Sequence, residues 1–172
     1  MAKLICLEKE NDMFNKTIAC VGVWVSLVLV SCRAEEKTAT PAPEEGVKVS
    51  WLTSLDTAKA EAAARKVPIL VDFSGSDWCG WCIRLDKEVF SKPAFRDYAK
   101  GNLVLLLIDF PRGKAQSDEE KKVNRALAEQ FRVEGFPTIL LLSAEGNELA
   151  RTGYQSGGAE AYVQHLKSLI NK

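Results

Sequence analysis

The chain has 172 residues, 23 basic and 23 acidic side chains, and 47% hydrophobic residues. Balanced charge without a basic block gives no indication of nucleic-acid binding, so that class of partner is excluded. The cysteines fall into two groups: Cys6, Cys20 and Cys32 lie in the first 32 residues, and Cys79 and Cys82 form an isolated Cys-x-x-Cys pair.

Residues 1–31 have the pattern of an export signal. Thr17–Ser31 is a continuous, mostly apolar run. As a helix this run would be about 22 Å long, too short for a bilayer core of ~30 Å. A signal-peptide core therefore fits better than a permanent anchor. The three basic and three acidic side chains of residues 1–16 cancel, whereas a chain starting at Met13 reaches the basic Lys16 within four residues. We therefore predict that translation begins at Met13.

The apolar run ends in Leu-Val-Ser-Cys at residues 29–32, which resembles the lipobox of bacterial lipoproteins. The resemblance implies cleavage before Cys32 and attachment of lipid to its thiol and new amino group. An ordinary cleavage site beside a chance cysteine is the alternative. Cys32 is followed by a stretch without large apolar residues, so residues 32–46 are predicted to be a lipidated cysteine and a disordered linker. Residues 47–172 then form one domain.

Strand and helix patterns alternate along this domain. The predicted elements, in chain order, are a short strand at 47–51, a helix at 54–66, a buried strand at 69–73, a helix from 79 to about 89, a short helix at 93–100, a buried strand at 103–110, a helix at 117–131, a hairpin of strands at 138–143 and 148–152, and a final helix at 157–170. This order predicts an α/β fold with a mixed central sheet and helices on both faces.

The helix at 117–131 has a clear start and a helical apolar spacing. Ser117 and Glu120 match a capping box, in which each residue bonds the backbone of the other. Val123, Leu127 and Phe131 recur at the spacing of one helical face, which indicates an amphipathic helix.

Cys79 and Cys82 form the most informative motif, in the run Trp-Cys-Gly-Trp-Cys after a buried strand. If a helix begins at Cys79, the i, i+3 spacing places both sulfurs on one helical face. The free N–H groups of the helix start then stabilise a thiolate at Cys79. A redox pair is predicted. The alternatives are a structural disulfide, which would constrain little chain, or zinc, for which the domain offers no third cysteine and only His165.

Three landmarks in this order resemble the thioredoxin superfamily over residues 47–172. The run at residues 78–82 resembles the family's Trp-Cys-x-x-Cys, Asp72 its buried strand acid, and Pro137 in Gly-Phe-Pro-Thr its cis-proline. The resemblance implies a thioredoxin-like fold and thiol–disulfide exchange. In that reaction Cys79 attacks a substrate disulfide, and Cys82 then attacks Cys79 to release the reduced substrate.

The resemblance also implies roles for the other two landmarks. Asp72 would accept the proton of Cys82, and its burial without a cation would raise its pKa toward neutrality. The alternative is a strand-end acid that reaches solvent. Pro137 would follow a cis bond and place the backbone of Phe136 beside the sulfurs, where it pairs with a substrate strand. The alternative is a plain proline at the start of a strand.

The remaining expected substrate-binding residues surround the cysteines: Trp78, Gly80 and Trp81, beside Phe136 and Pro137. Trp81 is expected to project outward as part of the docking surface. For Trp78, a packing role and a substrate-binding role are equally expected. Gly80-Trp81 stands where thioredoxin itself has Gly-Pro, a dipeptide that tunes the reduction potential.

Residues 88–93, followed by Phe95, resemble exported relatives, including the C-terminal thioredoxin-like domain of the transmembrane thiol–disulfide reductase. Those relatives are mostly electron donors. We therefore expect a cell-envelope oxidoreductase that reduces exported proteins, takes electrons from a membrane-crossing donor and contacts the membrane through lipid at Cys32. The expected cofactor is none beyond the Cys79–Cys82 disulfide, and no metal is expected. An oxidase or isomerase on the same site, or a thioredoxin-fold adaptor for extended segments, are the alternatives.

Overall fold

The computed structural model describes residues 49–171, which form a five-stranded mixed sheet flanked by helices. The strands are β1 (Trp51–Leu52), β2 (Ile69–Ser74), β3 (Val104–Asp109), β4 (Thr138–Leu142) and β5 (Glu148–Thr152); the helices are α1 (Leu55–Arg65), α2 (Gly80–Leu85), α3 (Pro93–Asn102), α4 (Asp118–Gln130) and α5 (Gly158–Ile170). A π-helical segment, Asp86–Phe90, continues α2. The predicted fold class is confirmed. The predicted signal, Cys32 and the linker lie outside the described residues.

The central strand β2 positions the site. The sheet order is β1-β3-β2-β4-β5, with β1 and β2 parallel to β3, and with β4 antiparallel to both β2 and β5. All six residues of β2 are buried, as expected for a strand covered on both faces. In the register, Asp72 lies between Leu107 of β3 and Ile139 of β4. A carboxyl group is thus placed in the middle of the sheet.

Alternate residues of the strands supply two separate cores. Leu70 faces the side covered by α3 and α5, where it packs in one cluster with Phe95 and Tyr162. Val71 faces the opposite side and packs in a cluster with Ala58 of α1. No helix within residues 49–171 is long and apolar enough to cross a bilayer.

Helix α4 confirms one prediction and qualifies another. The capping box of Ser117 and Glu120 is present, with both reciprocal hydrogen bonds formed. Val123, however, is 53% exposed. The buried residue beside it is Asn124, whose amide Nδ2 donates to the carbonyl oxygen of Asp109 over 2.8 Å. A polar side chain can take this inward position because the end of β3 offers it an acceptor.

Candidate active site

The two cysteines lie where the loop after β2 turns into α2. Cys79 is the N-cap residue, and its Sγ accepts a hydrogen bond from the backbone N–H of Cys82 over 3.4 Å. Cys79 is 7% exposed and Cys82 is 4% exposed, and both are free thiols. The helix therefore begins where the sequence predicted it, and the sulfurs lie one turn apart.

The environment of Cys82 keeps its thiol protonated. Burial, followed by the hydrogen bond and charge of the neighbouring Cys79, raises the pKa of Cys82 to about 12, although hydrogen bonds with Gly75 and Ser74 lower it. A thiol is a nucleophile only as a thiolate. Attack by Cys82 therefore requires a base close to its sulfur.

Asp72 has the properties of such a base. Its side chain is buried in β2, and its Oδ1 makes no hydrogen bond within the described part of the chain. Burial, followed by the negative charges of Asp109 and Asp86, raises the pKa of Asp72 to about 7. The predicted rise toward neutrality is confirmed. A carboxyl group with this pKa can both accept and return a proton near neutral pH.

One cavity connects these two groups. Asp72 and Cys82 both line a space of about 270 Å³, together with Ser74, Asp86 and Lys114. A cavity of this size has room for water, and Asp72, Ser74 and Lys114 offer polar groups to which water can bond. Such water would connect the Cys82 thiol with the Asp72 carboxylate.

The Phe136–Pro137 peptide bond is cis, as the resemblance implied. The Cys79 thiol donates to the carbonyl oxygen of Phe136 over 3.6 Å, so the backbone of Phe136 lies beside the reactive sulfur, as predicted. Phe136 and Pro137 also line an open groove of about 630 Å³. Phe136 thus contributes both to this groove and, through its carbonyl oxygen, to the surroundings of Cys79.

Trp78 is 37% exposed and also makes packing contacts beside the site. Its Nε1 donates to the carbonyl oxygen of Phe110 over 2.7 Å, and its ring meets the ring of Phe136 edge-on at 6.1 Å between centroids. The guanidinium carbon of Arg112 lies 3.7 Å from the centre of the Trp78 ring. Gly75 lies underneath, where an added Cβ would stand 2.6 Å from the indole. Trp78 thus joins two loops beside the cysteines.

Trp81 projects outward, as predicted, and is 54% exposed. Its ring lies 5.1 Å from that of Tyr154, whose hydroxyl donates to Glu88 over 2.7 Å. Arg84 Nε also donates to Glu88, over 2.8 Å. Sequence reasoning missed Tyr154, which follows β5. Gly80 is exposed and has open space around it, so it leaves the approach to Cys79 clear.

A second group that sequence reasoning missed joins the loop before α2 to the loop after β3. The carboxylate of Asp77 accepts hydrogen bonds from the backbone N–H groups of Arg112, over 3.0 Å, and Gly113, over 2.6 Å. Ser76 donates its N–H and its hydroxyl to the carboxylate of Asp109, over 2.9 and 2.6 Å. The bond from Arg112 holds the pKa of Asp77 below its usual range. The two loops are therefore held together as one wall of the site.

Comparison with known proteins identifies the family. A family profile described as a thioredoxin-like domain matches residues 55–169. The chain belongs to the thioredoxin-like domain family. A relative in Chlamydia pneumoniae, disulfide bond reductase DsbH, is 31% identical over 157 residues, which cover 88% of this chain and 94% of that protein.

Other thioredoxin-like relatives agree with this assignment. Thiol:disulfide interchange protein DsbD of Klebsiella pneumoniae is 32% identical over 90% of this chain, which spans only 27% of DsbD. A solved structure titled DsbH oxidoreductase superposes with a TM-score of 0.69 at 33% identity, covering 76% of this chain and 90% of that one. A thioredoxin from Thermus thermophilus, at 19% identity and a TM-score of 0.53 over 71% of this chain and 87% of that one, shares the fold. This chain is a thiol–disulfide oxidoreductase.

Proposed function

We propose that this oxidoreductase is a disulfide reductase of the bacterial cell envelope, which passes electrons from a membrane-crossing donor to disulfides of exported proteins. The arrangement of its two cysteines carries the proposal. The Cys79 thiol contacts the carbonyl of Phe136, a residue that also lines the groove, and Cys82 shares a cavity with the acid Asp72. Each half of a disulfide exchange thus has its own nucleophile and its own surroundings.

In the first half, the Cys79 thiolate attacks one sulfur of the substrate disulfide. A bond forms between Cys79 Sγ and that sulfur, and the other substrate sulfur leaves as a thiolate. The N–H of Cys82 stabilises the attacking thiolate, since Cys79 Sγ already accepts its hydrogen bond. The substrate strand would lie in the groove along Phe136 and Pro137, where extended backbones can pair.

In the second half, Asp72 takes the proton of the Cys82 thiol through the water of their shared cavity. The Cys82 thiolate then attacks Cys79 Sγ and breaks the mixed disulfide, which releases the second substrate sulfur as a thiolate. The substrate gains two electrons, and the protein is left with a Cys79–Cys82 disulfide. The cysteine pair carries both electrons itself, so the exchange requires no further cofactor.

The named function of a relative supports the reducing direction. The relative DsbH, which this chain matches along nearly its whole length, is named a disulfide bond reductase.

The placement in the envelope rests on the sequence before the domain. Residues 1–31 carry the export pattern, and Cys32 in Leu-Val-Ser-Cys is the proposed lipid attachment site. The linker that follows would hold the domain away from the membrane surface. Because thiols tend to oxidise outside the cytoplasm, the proposal requires a membrane-crossing donor that returns electrons to Cys79 and Cys82.

The equilibrium reduction potential of the cysteine pair tests the direction. The full-length protein in detergent would be equilibrated with dithiothreitol or glutathione buffers, and its free thiols counted by alkylation against a Cys79→Ser, Cys82→Ser control. A potential near that of thioredoxin, about −270 mV, supports a reductase. A potential of about −120 to −180 mV would instead assign the site to an oxidase or isomerase.

A further inference from the structure

Arg112 places a positive charge on the ring of Trp78. Its guanidinium lies 3.7 Å above the ring of Trp78, the residue before Cys79 in the chain. The same ring touches Phe136, whose carbonyl oxygen faces the Cys79 thiol. The guanidinium therefore belongs to the surface that a substrate disulfide must approach.

The loop that carries Arg112 is fixed rather than free. Asp77 accepts the backbone N–H groups of Arg112 and Gly113, and Trp78 donates to the carbonyl of Phe110 from the same loop. Holding a binding group in place before the partner arrives reduces the conformational entropy that association costs. The loop that carries Arg112 is in this sense preorganised.

The guanidinium of Arg112 has N–H donors available for a ligand. In the described part of the chain, Arg84 and Arg151 form ion pairs with Glu88 and Glu148, but the side chain of Arg112 forms none and donates no hydrogen bond to protein. A guanidinium carries five N–H donors in a planar fork that matches a carboxylate. Stacking on an indole leaves the edge of that fork open.

The acids nearby are already engaged. Asp77 accepts backbone N–H groups with both carboxylate oxygens, and both oxygens of Asp109 accept from Ser76. Lys114, on the same loop, donates its Nζ to the hydroxyl of Ser76 over 3.0 Å and adds a second positive charge. The carboxylates of this wall therefore face its own loops, while Arg112 faces outward.

We propose that Arg112 is a specificity-determining residue that selects disulfides flanked by an acidic side chain. The carboxylate of that side chain would accept hydrogen bonds from the Arg112 fork while the neighbouring sulfur meets Cys79. The inference rests on the proposed function and names the substrate class of the same site.

Three cystine peptides that differ only in the residue before the attacked cysteine, Glu, Gln or Lys, test the inference. The reduced full-length protein in detergent would be mixed with each peptide, and the second-order rate constant of peptide reduction measured. The wild-type Glu-to-Lys rate ratio should be about fivefold or more, as expected from an exposed charge pair, and should shrink in high salt. Arg112→Gln should bring the ratio close to one, Arg112→Glu should invert it, and Arg112→Lys should retain part of it. Arg125→Gln, which alters an exposed arginine of α4, should keep the wild-type ratio.

The possible outcomes distinguish a failure of the specificity role of Arg112 from a failure of the proposed reductase function. A wild-type ratio near one, or an Arg112→Gln variant that slows all three peptides by the same factor, would overturn the role in specificity and leave the reductase proposal standing. If the reduced wild-type protein left all three peptides oxidised, the proposed function would fail first, and the inference with it.

Discussion

Asp72 and Cys82 face one cavity of about 270 Å³ from different elements, Asp72 from the central strand and Cys82 from α2. The acid has a pKa of about 7 and the thiol a pKa of about 12. Part of the rise at Cys82 comes from Cys79. That part disappears once Cys79 is bound to a substrate sulfur, because its negative charge and the hydrogen-bond acceptor that it offers to the Cys82 thiol are gone. We therefore expect proton transfer from Cys82 to Asp72 to be easiest in the mixed disulfide.

The pH dependence of stability should reveal the buried acid. The pKa of Asp72 is about 7 in the folded protein, against the ordinary value of 3.8 that applies to the unfolded chain, so between these pH values the folded form retains a proton that the unfolded form has lost. The contribution of Asp72 to the free energy of unfolding is full below pH ~3.8 and is lost as the pH rises through ~7, at about 1.4 kcal/mol per unit of pKa shift. The substitution Asp72→Asn removes this pH-dependent loss of stability. Urea unfolding of the reduced proteins should show the variant gaining a few kcal/mol on the wild type between pH 4 and pH 8, whereas parallel profiles would contradict a buried titrating Asp72.

Asp72→Asn should also slow the second half of the reaction. An asparagine cannot accept the Cys82 proton, and a general base contributes roughly 10²-fold or more. An aromatic disulfide that releases one coloured thiolate in each half separates the two steps in stopped flow. We expect the second phase to slow about a hundredfold and to lose its rise through pH ~7. If the second phase kept its wild-type rate and pH profile, Asp72 would not be the base.

The two cysteines should differ in their ability to trap substrate. With Cys82→Ser, attack by Cys79 still proceeds but release does not, so mixed disulfides with exported proteins should accumulate and be visible on non-reducing gels. Cys79→Ser, the matched control, should accumulate few, because the thiol of Cys82 is buried and protonated. Equal trapping by the two variants would contradict the assignment of Cys79 as the nucleophile.

Alkylation should show that the Cys82 thiol is unreactive in the folded protein. Its pKa of about 12 keeps it protonated at pH 8, and only 4% of it is exposed. We expect iodoacetamide to leave Cys82 unmodified in the reduced native protein and to modify it after unfolding in urea, as read by peptide mass spectrometry. Rapid labelling of Cys82 before unfolding would show that this thiol is more accessible than the structure indicates.

Gly75 should tolerate no side chain. A Cβ at this position would lie 2.6 Å from the Trp78 indole, which would have to leave its bond to Phe110. Overpacking of this kind costs about 1–3 kcal/mol, and Gly75→Ala should lose that much in free energy of unfolding. Gly101→Ala, in α3 with nothing within 4 Å, is the control and should be neutral or slightly stabilising. Equal stability of the two variants would contradict the packing of Trp78.

The site could be predicted where one short stretch of sequence determines the geometry. The spacing of Cys79 and Cys82 fixes their place on one helix turn, and Phe-Pro-Thr marks where the chain passes the sulfurs. Contacts between distant stretches could not be predicted this way. Asp77 meets Arg112 across 35 positions, and Tyr154 meets Glu88 across 66. No periodicity within a single element reports which loops will close on each other.

The error at α4 has the same origin. Hydrophobic spacing favoured Val123 as an inward residue, yet Asn124 is buried and Val123 is not. The direction was decided by the carbonyl of Asp109, an acceptor at the end of β3 that the helix sequence does not encode. Burial of a polar side chain depends on its partner, and that partner comes from another element.

The near-complete burial of Cys79 limits which disulfides can react with it. With 7% of the residue exposed and the Phe136 carbonyl against its thiol, an incoming sulfur must reach into the surface rather than rest upon it. A disulfide buried inside a folded protein cannot make that approach, whereas a disulfide on a protruding or extended segment can. The recessed Cys79 thiol would thus leave the disulfides of folded envelope proteins intact and reduce those of chains that have not yet folded.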